Sequence, residues 1–231
     1  MKLRLSKFLA RSNVASRRAA EKLIFSKKVF VNGTLAQKPE QMVDPQKDKV
    51  LCNGMEITLE SEKFYFLFNK PKGFLCSSVR KNKEKLVLDF FSHISARLYT
   101  VGRLDRDVTG LIFITNDGTF ANQVIHPSKN VEKEYLIKVN QYITDTHLKR
   151  LAEGIVIDRR KIKPSKVTKI RKGTCKISVM DGKKHEIKLL VSSAKLDLIE
   201  LKRIRIGNIR LGNLPIGSYR KMKKQEVEMF L

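Results

Sequence analysis

Apolar positions change period several times along the chain, and each change marks an element. Leu5, Phe8 and Leu9 recur at helical spacing, and Ala19, Ala20, Leu23 and Ile24 do so again behind Ser16. A serine hydroxyl there suits the N-cap of a second helix. The period then shortens to Val29-Phe30-Val31, the dipeptide Asn32-Gly33 and the returning Thr34-Leu35-Ala36. Asn-Gly accepts the positive φ angles of a two-residue turn, so this stretch predicts a β-hairpin. Polar, turn-rich sequence from Pro39 to Lys49 precedes a short strand, Val50-Leu51-Cys52. Together these elements predict a small module over residues 1–60 and a charged linker over 61–64.

Residues 65–231 carry longer strand patterns. Phe64 to Phe68 is apolar and runs into the turn Asn69-Lys70-Pro71-Lys72-Gly73. Leu111 to Ile114 is an unbroken apolar run, as in a strand buried on both faces. Val131 to Val139 alternates instead, and Tyr135 taken alone fits core or sheet surface. Helices are predicted from near Thr119 to just before His126-Pro127, from Thr144 to Ala152 with Gly154 as C-cap, and from Lys184 to Ala194. Mixed strands with helices set against them give an α+β class.

Charge narrows the partner. Lys and Arg number 48 against 23 Asp and Glu, a net charge of +25, which fits a polyanion before anything else. No apolar run approaches the roughly 18 residues of a spanning helix, and the basic N-terminus lacks the apolar stretch of a signal peptide. No membrane role is expected, and Cys52, Cys76 and Cys175 read as reduced thiols of a cytoplasmic protein. The scattered cysteines and histidines predict no metal site. Like charge of this size argues for a monomer.

The one-sided charge of residues 1–30 is more specific. Arg4, Lys7, Arg11, Arg17, Arg18, Lys22, Lys27 and Lys28 stand with Lys2 against the single acid Glu21. Solvated helix faces normally mix signs, so these cations, with Ser16 and Asn32, are candidate RNA contacts. Leu5 to Leu9, Val14 to Leu23 and Val29 to Gly33 resemble the S4 RNA-binding domain.

The candidate chemistry lies in Gly102-Arg103-Leu104-Asp105-Arg106-Asp107-Val108-Thr109-Gly110. A carboxylate held on a turn against a rigid strand, with arginines around it, can act as nucleophile or general base; alone it reads more simply as a loop salt bridge. Three further segments accompany it: the Asn69–Gly73 turn, Val131–Val139, and the turn Asp181-Gly182-Lys183-Lys184 leading into His185-Glu186-Ile187-Lys188. His185 by itself reads as a surface or capping residue. In this order and spacing, with the closing pair Leu201 to Leu214, the segments resemble pseudouridine synthases of the ribosomal small-subunit pseudouridine synthase A (RsuA) type.

That resemblance implies a mainly antiparallel catalytic domain that isomerises a uridine of ribosomal RNA without any cofactor. It implies Asp105 as nucleophile, Tyr135 stacking on the uracil and helping remove the C5 proton, and Lys188 pairing with Asp105 to keep it ionised. Arg103, Lys70, Lys72 and Gly110 are expected at the substrate, and the target base is expected to flip out of its stack. The family usually carries arginine where this chain has Lys188, which keeps the charge but lacks the bidentate fork, and Val108 stands where a threonine is usual. Ile125 to Ser128 followed by Val131 to Tyr135 leans towards large-subunit ribosomal RNA. The alternative is a non-catalytic RNA-binding ribosome-assembly factor that keeps the fold.

Overall fold

The computed structural model describes residues 2–60, 62–157, 160–180 and 185–231, and the chain divides into two compact units, Met1–Lys63 and Phe64–Leu231. The first holds β1 (Leu3–Arg4), α1 (Leu5–Arg11), α2 (Arg17–Phe25), β2 (Val29–Val31), β3 (Thr34–Leu35), β4 (Met42–Val43), β5 (Val50–Cys52) and β6 (Met55–Ile57). Ser16 caps α2, its Oγ accepting the Ala19 N–H at 3.1 Å. Asn32 and Gly33 take φ angles of 51° and 79°, which only such a pair accepts cheaply, and so close the β2–β3 hairpin. The apolar faces of both helices pack on Val29, Val31 and Val50.

The second unit continues with β7 (Tyr65–Lys70), β8 (Tyr99–Val101), β9 (Thr109–Thr115), α3 (Gly118–Ile125), β10 (Lys133–Val139), α4 (Asp145–Glu153), β11 (Ile155–Ile157), β12 (Arg160–Ile162), β13 (Lys166–Arg171) and β14 (Thr174–Val179). It closes with α5 (Glu186–Ser193), β15 (Leu198–Ile206), β16 (Ile209–Arg210), β17 (Tyr219–Lys221) and α6 (Lys224–Glu228). Among the described residues, nine strands form one sheet along the path β13-β14-β10-β15-β9-β7-β17, with β8 on β9 and β16 on β15. Every pairing is antiparallel except β15 with β9.

Burial explains the two strand patterns. At β7 and β9, Phe66, Phe68, Ile112 and Ile114 enter one core, while Leu67, Leu111 and Phe113 enter a second on the opposite face. A strand covered on both sides has no polar positions to alternate with. In β10, only Tyr135, Ile137 and Val139 point into the first core, and Lys138 is exposed.

One boundary moves. Phe64 belongs to the second unit and not to a linker, because its N–H donates to Asn116 Oδ1 at 2.9 Å and its carbonyl accepts from Thr115 Oγ1 at 2.6 Å. Helix α5 is described from Glu186; its expected start at Lys184, with Asp181 to Lys183 and Ser61 of the expected linker, lies outside the described residues. Among the described residues no helix is long and apolar enough to cross a membrane.

Candidate functional site

The β8–β9 loop carries Asp105 on a turn closed by the Val108 N–H donating to the Asp105 carbonyl at 3.1 Å. Beneath it, Lys70 at the end of β7 is fully buried. Its ammonium donates to the carbonyls of Val108 (2.8 Å), Asp105 (3.0 Å), Pro71 (3.2 Å) and Arg106 (3.4 Å). Burial pushes its pKa below the usual lysine value, against the opposing pull of Cys76, Asp107 and Asp105. The Gly73 N–H adds a bond to the Arg106 carbonyl at 2.7 Å, and the Leu104 N–H reaches Cys76 Sγ at 3.4 Å. The loop is thereby tied to the turn after β7 by its backbone, leaving the Asp105 side chain free to face a cleft.

The expectation that Lys70 contacts substrate is therefore corrected: its donors are satisfied by loop carbonyls and it reaches no surface. Lys70→Met should leave those acceptors unpaired and lower stability by about 2–4 kcal/mol in urea unfolding. Gly110 is corrected likewise. It is buried at φ +106°, and a Cβ on it would meet the Arg203 carbonyl oxygen at 2.2 Å, so its lack of a side chain serves the β9–β15 pairing and not a substrate.

The cleft has a volume of about 550 Å³, ample for a nucleoside. Asp105, Arg103 and Leu104 line it from the loop, Tyr135 and Lys133 from β10, Arg203 from β15, and His185, Glu186 and Lys188 from the start of α5. Tyr135 is 8% exposed, at the junction of core and cleft. Lys188 Nζ lies 3.2 Å from Asp105 Oδ2, the pairing expected from the sequence. It also donates to both oxygens of Asp107, at 2.7 and 2.9 Å, which the sequence did not single out. Burial works against the charge on Lys188, but its bonds to Asp107 and Asp105 outweigh this and raise its pKa. The same bond to Lys188 holds the Asp107 carboxyl below its ordinary range. Two carboxylates thus share one ammonium, and His185 Nε2 approaches the other oxygen of Asp105 at 3.5 Å.

The remaining expected residues distribute simply. Arg103 and Lys72 are exposed, the first on the cleft rim and the second close enough to Asp107 to favour its charged form. Val108 is buried in the core, and the neighbouring Thr109 Oγ1 is buried with no partner among the described residues. In the first unit Arg4, Arg17, Arg18, Lys22, Lys27 and Lys28 are exposed, while Lys7, Arg11 and Ser16 are half-buried. The Asn32 amide is engaged at both ends, donating to Asp48 Oδ1 at 2.9 Å and accepting the Lys49 N–H at 2.8 Å. These bonds also give it a structural role in the hairpin.

The loop, the tyrosine and the helix start that line this cleft all lie within a stretch matched by a known family. The family model described as RNA pseudouridylate synthase matches residues 64–193, and that of the S4 domain matches residues 3–50. The chain belongs to the pseudouridine synthase family. It is 33% identical to the ribosomal large subunit pseudouridine synthase B of Bacillus subtilis over 97% of this chain and 94% of that protein. It is 40% identical to a putative chloroplastic ribosomal large subunit pseudouridine synthase of Arabidopsis thaliana, over 97% of this chain but 60% of the longer plant protein. A crystal structure of a pseudouridylate synthase superposes with a TM-score of 0.73 at 28% identity, covering 99% of this chain and 100% of that one. The synthase is thus an isomerase, with an S4 unit ahead of its catalytic domain.

Proposed function

We propose that this synthase isomerises uridine to pseudouridine in large-subunit ribosomal RNA with Asp105 as the nucleophile. The observation that carries the reading is the Asp105 carboxylate at the cleft wall with a side chain on each oxygen, Lys188 Nζ at 3.2 Å and His185 Nε2 at 3.5 Å. A carboxylate braced at both oxygens and open to the cleft is placed to attack a nucleoside held there.

The reaction breaks the N1–C1′ bond, turns the uracil, forms the C5–C1′ bond, removes the proton from C5 and returns one to N1. Nothing is oxidised or reduced. Asp105 holds one fragment covalently while the other reorients, and Tyr135, across the cleft on β10, stacks on the base and helps remove the C5 proton. A cleft of this size admits one nucleotide flipped from its stack, while Arg103 and Lys72 meet the neighbouring phosphates. The exposed cations of the S4 unit contribute the sequence-independent part of RNA binding.

The preference for large-subunit RNA rests on the names of the relatives from Bacillus subtilis and Arabidopsis thaliana. Incubating the protein with transcripts of each ribosomal RNA, and reading pseudouridine by carbodiimide treatment and primer extension, tests it. Conversion in the large-subunit transcript is expected. Binding of both transcripts without conversion of either would favour a non-catalytic assembly factor.

A further inference from the structure

Among the described residues around Asp105, His185 is the one whose backbone and side chain the local hydrogen bonding leaves unexplained. It occupies the N-cap of α5, yet its side chain accepts no hydrogen bond from the helix. Its backbone is left-handed, at φ 57°, a conformation uncommon for a residue with a side chain. That conformation sets Nε2 3.5 Å from Asp105 Oδ1, over the cleft.

The need for such a contact follows from how Lys188 is used. An ammonium has three donors. Two of them go to Asp107 at 2.7 and 2.9 Å, and only the longer contact, 3.2 Å, reaches Asp105. A carboxylate held by one oxygen still turns about its Cβ–Cγ bond. An arginine would hold both oxygens with two parallel N–H groups, fixing the plane; a lysine acts as a point charge. Here the second oxygen faces His185.

We infer that His185 is a positioning residue which, with Lys188, grips Asp105 from both oxygens and so fixes the plane of the nucleophile. This rests on the reading of Asp105 as nucleophile. The two side chains, one on each oxygen, reproduce the restraint that a single arginine fork provides. Their separate attachment, to the N-cap and to the first turn of α5, makes the start of that helix the part of the fold that aims the reaction.

Three variants test the inference by separating reach from backbone fit. His185→Asn tolerates the left-handed backbone but its shorter amide falls short of Asp105, whereas His185→Gln restores a donor at the same reach. With a ribosomal RNA substrate that the wild-type protein converts, His185→Asn is expected to lower the single-turnover rate at saturating enzyme about 10-fold, with RNA Kd unchanged within about twofold. His185→Gln should recover most of that loss. In a Lys188→Arg parent, the fork takes over the second oxygen and His185→Asn should cost less than about twofold. A wild-type rate for His185→Asn, a loss confined to Kd, or an equal fold-loss in both parents would overturn the inference. Asp105→Asn run alongside keeps the two readings apart. Activity in that variant removes the nucleophile assignment itself, whereas an inactive Asp105→Asn beside a fully active His185→Asn removes only the role of His185.

Discussion

Asp105→Asn is expected to lower single-turnover pseudouridine formation by on the order of 10,000-fold or more, the scale seen when a covalent nucleophile is removed. The amide keeps the size of the side chain and cannot attack. RNA binding should stay within about twofold, because sequence-independent affinity comes from phosphate contacts distributed over many cations. Stability should also change little. The carboxylate is 32% exposed, its partner Lys188 retains Asp107, and a half-exposed ion pair is worth at most about 1 kcal/mol. The combination matters, since a loss of rate with intact folding and binding is what distinguishes a nucleophile from a loop salt bridge. Filter binding, thermal melting and a tritium-release or primer-extension assay on one preparation give all three quantities.

Gly110→Ala is expected to have the largest effect on the fold, about 3–5 kcal/mol in urea unfolding. Gly110 pairs with Arg203 where β9 runs parallel to β15, and its φ of +106° is closed to alanine at low cost. The added methyl would also stand 2.2 Å from the Arg203 carbonyl oxygen and 2.8 Å from its nitrogen, both backbone atoms that cannot rotate away. Strand separation at that point loosens the C-terminal end of the Asp105 loop, so activity should fall with stability. Gly33→Ala supplies the contrast. It shares a positive φ, at +79°, but its Cβ would meet nothing within 4 Å, so only conformational strain of about 1 kcal/mol is expected.

These two positions mark the limit of what the sequence reveals. Features governed by neighbours along the chain are legible there. Asn32-Gly33 closes its hairpin, Ser16 caps α2, and Gly154 ends α4 at φ 77°. The two strand patterns, continuous in Leu111–Ile114 and alternating in Lys133–Val139, correctly distinguish a strand covered on both faces from one covered on one. What depends on distant partners is not legible. A lysine after a strand reads as a solvent-facing contact, and only once the Asp105 loop folds over Lys70 do four carbonyls surround it. A glycine beside a candidate acid reads as room for substrate, yet the chain that approaches Gly110 is β15. The insertion of β15 between β10 and β9 is a non-local pairing with no local signal.

The candidate site divides along the same line. Asp105, Tyr135 and Lys188 stand on three separate elements, and the structure brings them to one cleft. Asp107 was visible as a second acid two residues on, but its hold on Lys188 depends on where α5 docks. His185 was visible as well and by itself read as a surface or capping residue. Its left-handed backbone turns it to Asp105 instead. A lone lysine in place of an arginine was the one signal that a further donor would be needed.

The most direct test is a pseudouridine map of all ribosomal RNA from cells in which Asp105 has been changed to Asn in the chromosome, set beside the map from wild-type cells. Loss of pseudouridine at large-subunit uridines, with the small-subunit map unchanged, is the expected result. Identical maps, or a loss confined to the small subunit, would contradict the account.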